Sequence, residues 1–316
     1  MIRAFVFPGQ GSQAVGMGRA LAEAFPVARH VFEEVDDALK QKLSRLMFEG
    51  PEGDLTLTEN AQPALMAVSQ AVLKVLETEG KWTLAAKARF VAGHSLGEYS
   101  ALAAAGALSL QDAARLLKLR GQAMQKAVPV GVGAMAALLG LDLPAAQEIS
   151  AQAAEETGKV CSAANDNSPG QVVVSGHKEA VDRAIAIAAE KGAKRSVLLP
   201  VSAPFHCALM QPAADAMEQA LEKATLSVPS VPLIANVTAA AVSEPGQIRK
   251  LLVEQVVSTV RWRESIETMK KEGVARIFEL GAGKVLAGLV KRIDREIEAS
   301  SVGAPEDIEA ALKALS

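Results

Sequence analysis

A short apolar run, Phe90-Val91-Ala92-Gly93, gives way to His94-Ser95-Leu96-Gly97 and then to small, helix-forming residues. No other stretch restricts the fold as tightly. Strand, sharp turn and helix must follow one another within a few residues, and Gly-x-Ser-x-Gly needs glycine on either side because backbone and helix crowd there. Such a turn lifts a serine Oγ to the top of a sheet, above a helix N-terminus whose free N–H groups can hold a developing negative charge. The five-residue pattern alone is common. Its setting between a strand and a helix makes Ser95 a candidate nucleophile, with a purely structural turn as the alternative.

Ala4-Phe5-Val6-Phe7 reads as a second buried strand, closed by the turn Pro8-Gly9-Gln10-Gly11-Ser12. Apolar residues at helical spacing predict helices over 17–39, broken near Pro26, and over 61–79, ending before Gly80. From about Gly131 the texture changes. A strand is expected at 134–141, a helix at 144–156, strands at 160–164 and 171–175 around a loop at 165–170, a helix at 179–191 and a strand at 196–201. That βαββαβ order is the signature of a ferredoxin-like unit. The expected fold is therefore α/β: a large α/β-hydrolase-like domain with a parallel sheet, built from 1–130 and 201–316, and a small inserted ferredoxin-like subdomain over 131–200. Beyond the insert come a helix at 209–224, a strand at 232–236, a helix at 247–257, another around Ser265 and a strand at 274–280. Gly281-Ala282-Gly283-Lys284 then opens a last long helix.

Half of the 316 residues are apolar and 22% are charged, enough apolar material for a sizeable core. The net charge of −3 offers no basic excess, which argues against a nucleic-acid partner. The N-terminus runs straight into a strand-like segment with no secretory pattern. The longest apolar stretch, 101–110, is too short to span a bilayer, so no membrane association is expected. Two cysteines, Cys161 and Cys207, are too few for a disulfide scaffold or a cysteine-rich zinc site, and a reducing cytoplasm is the expected location. No histidine–carboxylate spacing suggests a metal.

A serine nucleophile needs a base, and there are four histidines. His94 adjoins Ser95, but neighbours on such a turn point apart. His30 sits in a charged helical segment and is expected at the surface. His177 follows a Ser-Gly turn at a helix start, where capping accounts for it. His206, in Ser202-Ala203-Pro204-Phe205-His206 after a strand, is left as the candidate base, with a buried structural histidine as the alternative. Arg120 lies in the mostly apolar helical stretch Leu116-Leu117-Lys118-Leu119-Arg120-Gly121-Gln122. From these residues alone a surface arginine or an internal ion pair is the favoured reading.

Phe7-Pro8-Gly9-Gln10-Gly11-Ser12-Gln13, Gly93-His94-Ser95-Leu96-Gly97-Glu98, Arg120-Gly121, Phe205-His206 and Gly281-Ala282-Gly283-Lys284 occur in this order. In that set, over nearly its full length, the chain resembles the malonyl-CoA:acyl carrier protein transacylases. The resemblance implies transfer of a malonyl group from malonyl-CoA to acyl carrier protein through an ester on Ser95, with His206 as base and then acid. It further implies that Gln10 and Leu96 offer backbone N–H groups to the oxyanion, that Arg120 binds the malonyl carboxylate, and that the main-chain carbonyl of Gln255 orients His206. No third-member carboxylate is implied. Phe205 would fill the space of an α-methyl branch, a hint of malonyl over methylmalonyl. Asn165 and Asn167 flank an expected turn and have at most a part in shaping the pocket. No cofactor is implied, coenzyme A being a substrate carrier, and the usual enzyme of this kind is a monomer. Ala282 replaces the proline common in that last turn, and the 284–292 region is one basic candidate for carrier-protein docking.

A serine hydrolase would share Ser95 and His206 but has no need of Arg120. A degenerate, non-catalytic acyltransferase would not need the intact Ser-His-Arg set. Loss of Arg120 would point to an acetyl group, and its presence points to a carboxylated one.

Overall fold

The computed structural model describes residues 1–316. Its strands, in chain order, are β1 (Ile2–Phe7), β2 (Phe90–Gly93), β3 (Gly133–Leu139), β4 (Cys161–Ser168), β5 (Gln171–His177), β6 (Arg195–Leu198), β7 (Leu233–Ile234), β8 (Ala241–Val242), β9 (Val274–Leu280) and β10 (Glu298–Val302). They form a six-stranded sheet in the order β10-β9-β1-β2-β7-β8 and a four-stranded sheet in the order β4-β5-β3-β6.

In the first sheet every neighbouring pair from β10 to β7 is parallel, and only the β7–β8 hairpin at one edge is antiparallel. Parallel strands carry helices on both faces, so they read as continuous apolar runs. Ala4 to Phe7 are accordingly all buried. Alternation along β1 divides the core: Phe5 and Phe7 pack into the large cluster that holds Leu65, Val68 and Leu117, whereas Ala4 and Val6 join Trp262, Ile266 and Leu286 on the other face. Because β1, β2 and β7 are parallel neighbours, the segments that leave them (8–11, 94–96 and Asn236) converge at one edge of the sheet.

The second sheet is antiparallel throughout. Its strands alternate with the helices Leu143–Thr157 and Lys178–Glu190 in the order strand, helix, strand, strand, helix, strand. Both helices cover one face, where Ala136, Leu138, Val172 and Val174 meet Ile149, Ala153, Val181 and Ala184. Met135, Ala137 and Val173 belong to the main core. The edge strand β4 is tied to the chain that follows the helix Pro245–Gln255. Asp166 N–H donates to the Val260 carbonyl at 2.9 Å, Val260 N–H donates to the Ala164 carbonyl at 2.9 Å, and the Asp166 carboxylate pairs with Arg263 at 2.9 Å.

Several expectations need correction. The segment expected as a loop at 165–170 is mostly strand: β4 runs through Asn165, Asp166 and Asn167 to Ser168, and only Pro169-Gly170 turns. Asn-Asp-Asn has turn chemistry, but here Asp166 has Arg263 as a partner and two irregularities in register absorb the mismatch with β5. The last long helix is a short one, Val285–Ile293, followed by β10 and the helix Pro305–Leu315. Small polar residues in β10 gave no apolar strand signal, and pairing with β9 supplies what propensity does not. His177 does occupy the N-cap position of Lys178–Glu190, yet its ring does not cap that helix; Nδ1 accepts from Val160 N–H at 3.1 Å. His30 is exposed as expected. No helix is long and apolar enough to cross a membrane.

Candidate active site

Ser95 sits on the tight connection between β2 and the helix Gly97–Ala104, with φ at 54°. That is a left-handed backbone, uncommon for a residue with a Cβ. The flanking glycines are a steric requirement. A Cβ on Gly93 would stand 1.9 Å from the Gly97 carbonyl, and one on Gly97 would stand 2.3 Å from the Phe7 carbonyl oxygen. Asn236, fully buried after β7, holds the turn from both sides. Its Oδ1 accepts from Ser95 N–H at 2.8 Å and its Nδ2 donates to the Gly93 carbonyl at 2.8 Å.

Ser95 Oγ lies 2.8 Å from His206 Nε2, and His206 Nδ1 lies 2.9 Å from the main-chain carbonyl of Gln255. A carbonyl only accepts, so Nδ1 carries the proton and Nε2 accepts from the serine hydroxyl. His206 also has a left-handed backbone, with φ at 57°. Burial, followed by the nearby charge of Arg120, depresses its pKa from 6.5 to about 3, which keeps the ring neutral and able to take a proton. A hydroxyl, a neutral imidazole and a carbonyl so arranged can deliver an activated serine without a carboxylate third member.

Arg120 is buried at 1% exposure, which excludes the surface reading. It projects from the helix Leu110–Ala127. That helix comes close to the helix Thr58–Gly80 because residue 121 is glycine; a Cβ there would lie 2.4 Å from Glu59 Cα. The guanidinium forms no ion pair with a carboxylate, which excludes the other reading as well. Nη1 donates to Gln62 Oε1 at 2.8 Å, and Nη2 donates to Gln255 Oε1 at 2.8 Å and to Ser95 Oγ at 3.1 Å. Burial lowers its pKa from the ordinary value, opposed by Tyr99 and Glu98. The site thus holds a buried cation directed at the serine hydroxyl, and the acceptors hydrogen-bonded to it are all neutral.

Gln10 and Leu96 both line the cleft beside Ser95, and the main-chain N–H of neither has an acceptor within the protein. Two free N–H groups flanking a hydroxyl suit an oxyanion. The Gln10 side chain is fixed by Thr58, whose hydroxyl donates to Gln10 Oε1 at 2.9 Å and accepts from Gln62 Nε2 at 2.9 Å. Phe205 is buried at the cleft wall. The cleft, about 540 Å³, opens between the two sheets, with Met135, Asn165 and residues 199–202 facing Gln10, Ser95 and Arg120. His94 takes no part in the Ser95–His206 hydrogen bond: Nε2 meets Asn167 Oδ1 at 2.9 Å and its ring packs against Trp262. No three His, Cys, Asp or Glu side chains are grouped as a metal site requires.

Residues 4–302 match the acyl transferase domain family. A malonyl CoA-acyl carrier protein transacylase of Bacillus subtilis (strain 168) is 47% identical over 312 residues, covering 99% of this chain and 96% of the relative. The chain belongs to this family of acyl transferases. Among solved structures, an acyl-carrier-protein-S-malonyltransferase from Bartonella henselae superposes with a TM-score of 0.97 at 59% identity, covering 100% of this chain and 99% of that one. A malonyl-transacylase solved in complex with its type II PKS acyl-carrier protein superposes with a TM-score of 0.95 at 43% identity, covering 99% of this chain and 100% of the other.

The site therefore brings together Ser95 and His206, singled out from the residues themselves, with Gln255, Gln10, Leu96, Arg120 and Phe205, named through the resemblance. Asn236, Gln62 and Thr58 escape that reading, and Glu98 enters it only within a motif. The one local signal was Glu98 itself, an acid amid the small and apolar run Tyr99-Ser100-Ala101-Leu102, where a charge demands a partner.

Proposed function

We propose that this acyl transferase carries a malonyl group from malonyl-CoA to the phosphopantetheine thiol of acyl carrier protein through an ester on Ser95, supplying fatty acid synthesis. The observation that carries the reading is the buried, carboxylate-free Arg120, with Nη2 3.1 Å from Ser95 Oγ. A thioester drawn to Ser95 with its acyl carboxylate on Arg120 would carry a carboxylated acyl group, and the names of the relatives point to malonyl among these. The Ser95 proton passes to His206 Nε2 as Oγ bonds the thioester carbon, and the N–H groups of Gln10 and Leu96 receive the oxyanion. Collapse expels the coenzyme A sulfur, which takes the proton from His206. The carrier protein's thiol then gives its proton to His206 and attacks the ester, and collapse breaks the bond to Ser95 Oγ, which takes the proton back from His206 and leaves both residues as they began. Gln255 holds the imidazole through its main-chain carbonyl, and Phe205 fills the wall where a branched acyl group would sit.

The second sheet, with its helices on one face, is read as a ferredoxin-like subdomain over 131–200, inserted into an α/β-hydrolase-like domain formed by 1–130 and 201–316. The names of the relatives support malonyl-CoA and acyl carrier protein as partners. The exposed Lys284, Lys291 and Arg292 make one basic surface for an acidic carrier. A cytoplasmic monomer that needs no metal or cofactor completes the reading.

The test is intact mass after brief exposure to malonyl-CoA, with Ser95→Ala alongside, followed by acyl carrier protein. The expected result is a malonyl adduct on the unsubstituted protein only, which moves to the carrier. Steady release of coenzyme A with no adduct would point to a hydrolase, and labelling of Ser95→Ala would overturn the nucleophile.

A further inference from the structure

Glu98 is a buried acid in the first turn of the helix Gly97–Ala104, and no step of the transfer uses it. Its Oε1 accepts from Asn236 N–H at 2.7 Å, and its Oε2 accepts from Gln255 Nε2. The Gln255 amide nitrogen also donates to the Ser95 carbonyl at 2.9 Å, while its oxygen accepts from Arg120 Nη2 at 2.8 Å. An amide has one donor end and one acceptor end, and its neighbours decide which way it faces. Burial pushes the Glu98 carboxyl up to about 7, against the hydrogen bonds from Asn236 and Gln255 and the charge of Arg120. Above that pH the ionised carboxylate can only accept, so it holds the NH₂ end towards itself.

We propose that Glu98 is a positioning residue for acyl-group selectivity, its carboxylate holding the Gln255 amide with oxygen towards Arg120 so that the guanidinium is fixed where a carboxylated acyl group meets it. This rests on the malonyl-transfer reading above. The geometry explains why the acid is one residue removed from the arginine. A carboxylate bonded directly to Arg120 would neutralise it and compete with the substrate's own carboxylate. Acting through a neutral amide, Glu98 orients the guanidinium and leaves its hydrogen-bonding charge available. The same Gln255 presents its main-chain carbonyl to His206, but that bond does not depend on which way the side-chain amide faces.

Glu98→Gln tests the idea, because a new NH₂ must then face either the Asn236 N–H, which cannot turn, or the Gln255 amide, which can. Turned over, Gln255 would present a donor to Arg120. Acyl-enzyme formation is measured with malonyl-CoA and with acetyl-CoA, in the otherwise unsubstituted protein and in Arg120→Ala. Glu98→Gln should lower kcat/KM for malonyl-CoA by about ten- to a hundredfold, mainly through KM, and should lower that for acetyl-CoA far less. In Arg120→Ala the same substitution should leave the malonyl-to-acetyl ratio unchanged. Equal losses for both donors, or the same fall in ratio without Arg120, would overturn the proposal. If Glu98→Gln does not fold, Gln255→Met removes the amide and keeps the main-chain carbonyl; it should show the same fall in ratio, and an unchanged ratio refutes the idea. A wild-type protein that forms no malonyl ester refutes the malonyl reading itself; one that does, with the ratio intact in Glu98→Gln, refutes this inference alone.

Discussion

Acid should destabilise this protein through His206 in a way that an exposed histidine could not reproduce. The ring is buried, bonded at both nitrogens and close to Arg120, and its pKa falls from 6.5 to about 3. In the unfolded chain it titrates near the ordinary value. Between pH 6.5 and pH 3 the unfolded state therefore binds a proton that the folded state refuses. The contribution of His206 to stability is complete above 6.5 and is lost as the pH falls towards 3. Each pH unit inside that window corresponds to about 1.4 kcal/mol, and the whole window to about 5 kcal/mol. Urea unfolding of the protein and of His206→Gln, at about pH 7.5 and about pH 4.5, isolates the effect because other titrating groups are common to both. The stability difference should shift by about 2–3 kcal/mol against the unsubstituted protein at the lower pH. Single-turnover acylation should likewise show no loss centred near 6.5, since the base is still neutral there. A stability difference that does not move with pH, or an acylation limb near 6.5, would refute the argument.

Two further outcomes follow from the turn that carries Ser95. Asn236→Ala strands the Ser95 N–H and the Gly93 carbonyl, and should cost about 2–4 kcal/mol of stability together with slower ester formation; urea unfolding and time-resolved intact mass measure both. Gly97→Ala forces a Cβ to 2.3 Å from the Phe7 carbonyl oxygen of the central strand and should lower the melting temperature, whereas Gly288→Ala, in a helix with nothing within 4 Å of the new carbon, should be neutral or raise it.

Local sequence placed the Ser95 turn well, because Gly93, Ser95 and Gly97 are spaced by the sterics of one short connection. It singled out His206 by elimination among four histidines and by its place after a strand, and the readings of Gln10, Leu96, the Gln255 carbonyl and Arg120 came only through resemblance. Arg120 shows why. Its stretch looks like any amphipathic helix with a charged face, and nothing nearby says that Gln62 and Gln255 will come from two distant helices to surround it. Asn236 is similar: three of its bonds go to residues near 93–98, far away in the chain. Periodicity placed most helices to within a few residues, but it read the polar half of β4 as loop and missed β10 altogether, where pairing with a neighbour outweighs propensity.

The order of strands also sets an order of events during synthesis. β1 lies in the middle of the first sheet, yet its partner on one side is β9, so Ile2 waits for Val274 before that edge can close. The second sheet has no such wait, since β3 through β6 lie between Gly133 and Leu198 and pair only among themselves within that sheet. Chain emerging from a ribosome can complete the small sheet while the large one still has an open, apolar central strand. The Ser95 turn and the His206 loop are both made before β9, so Ser95 and His206 are held in place only once the last third of the chain has arrived.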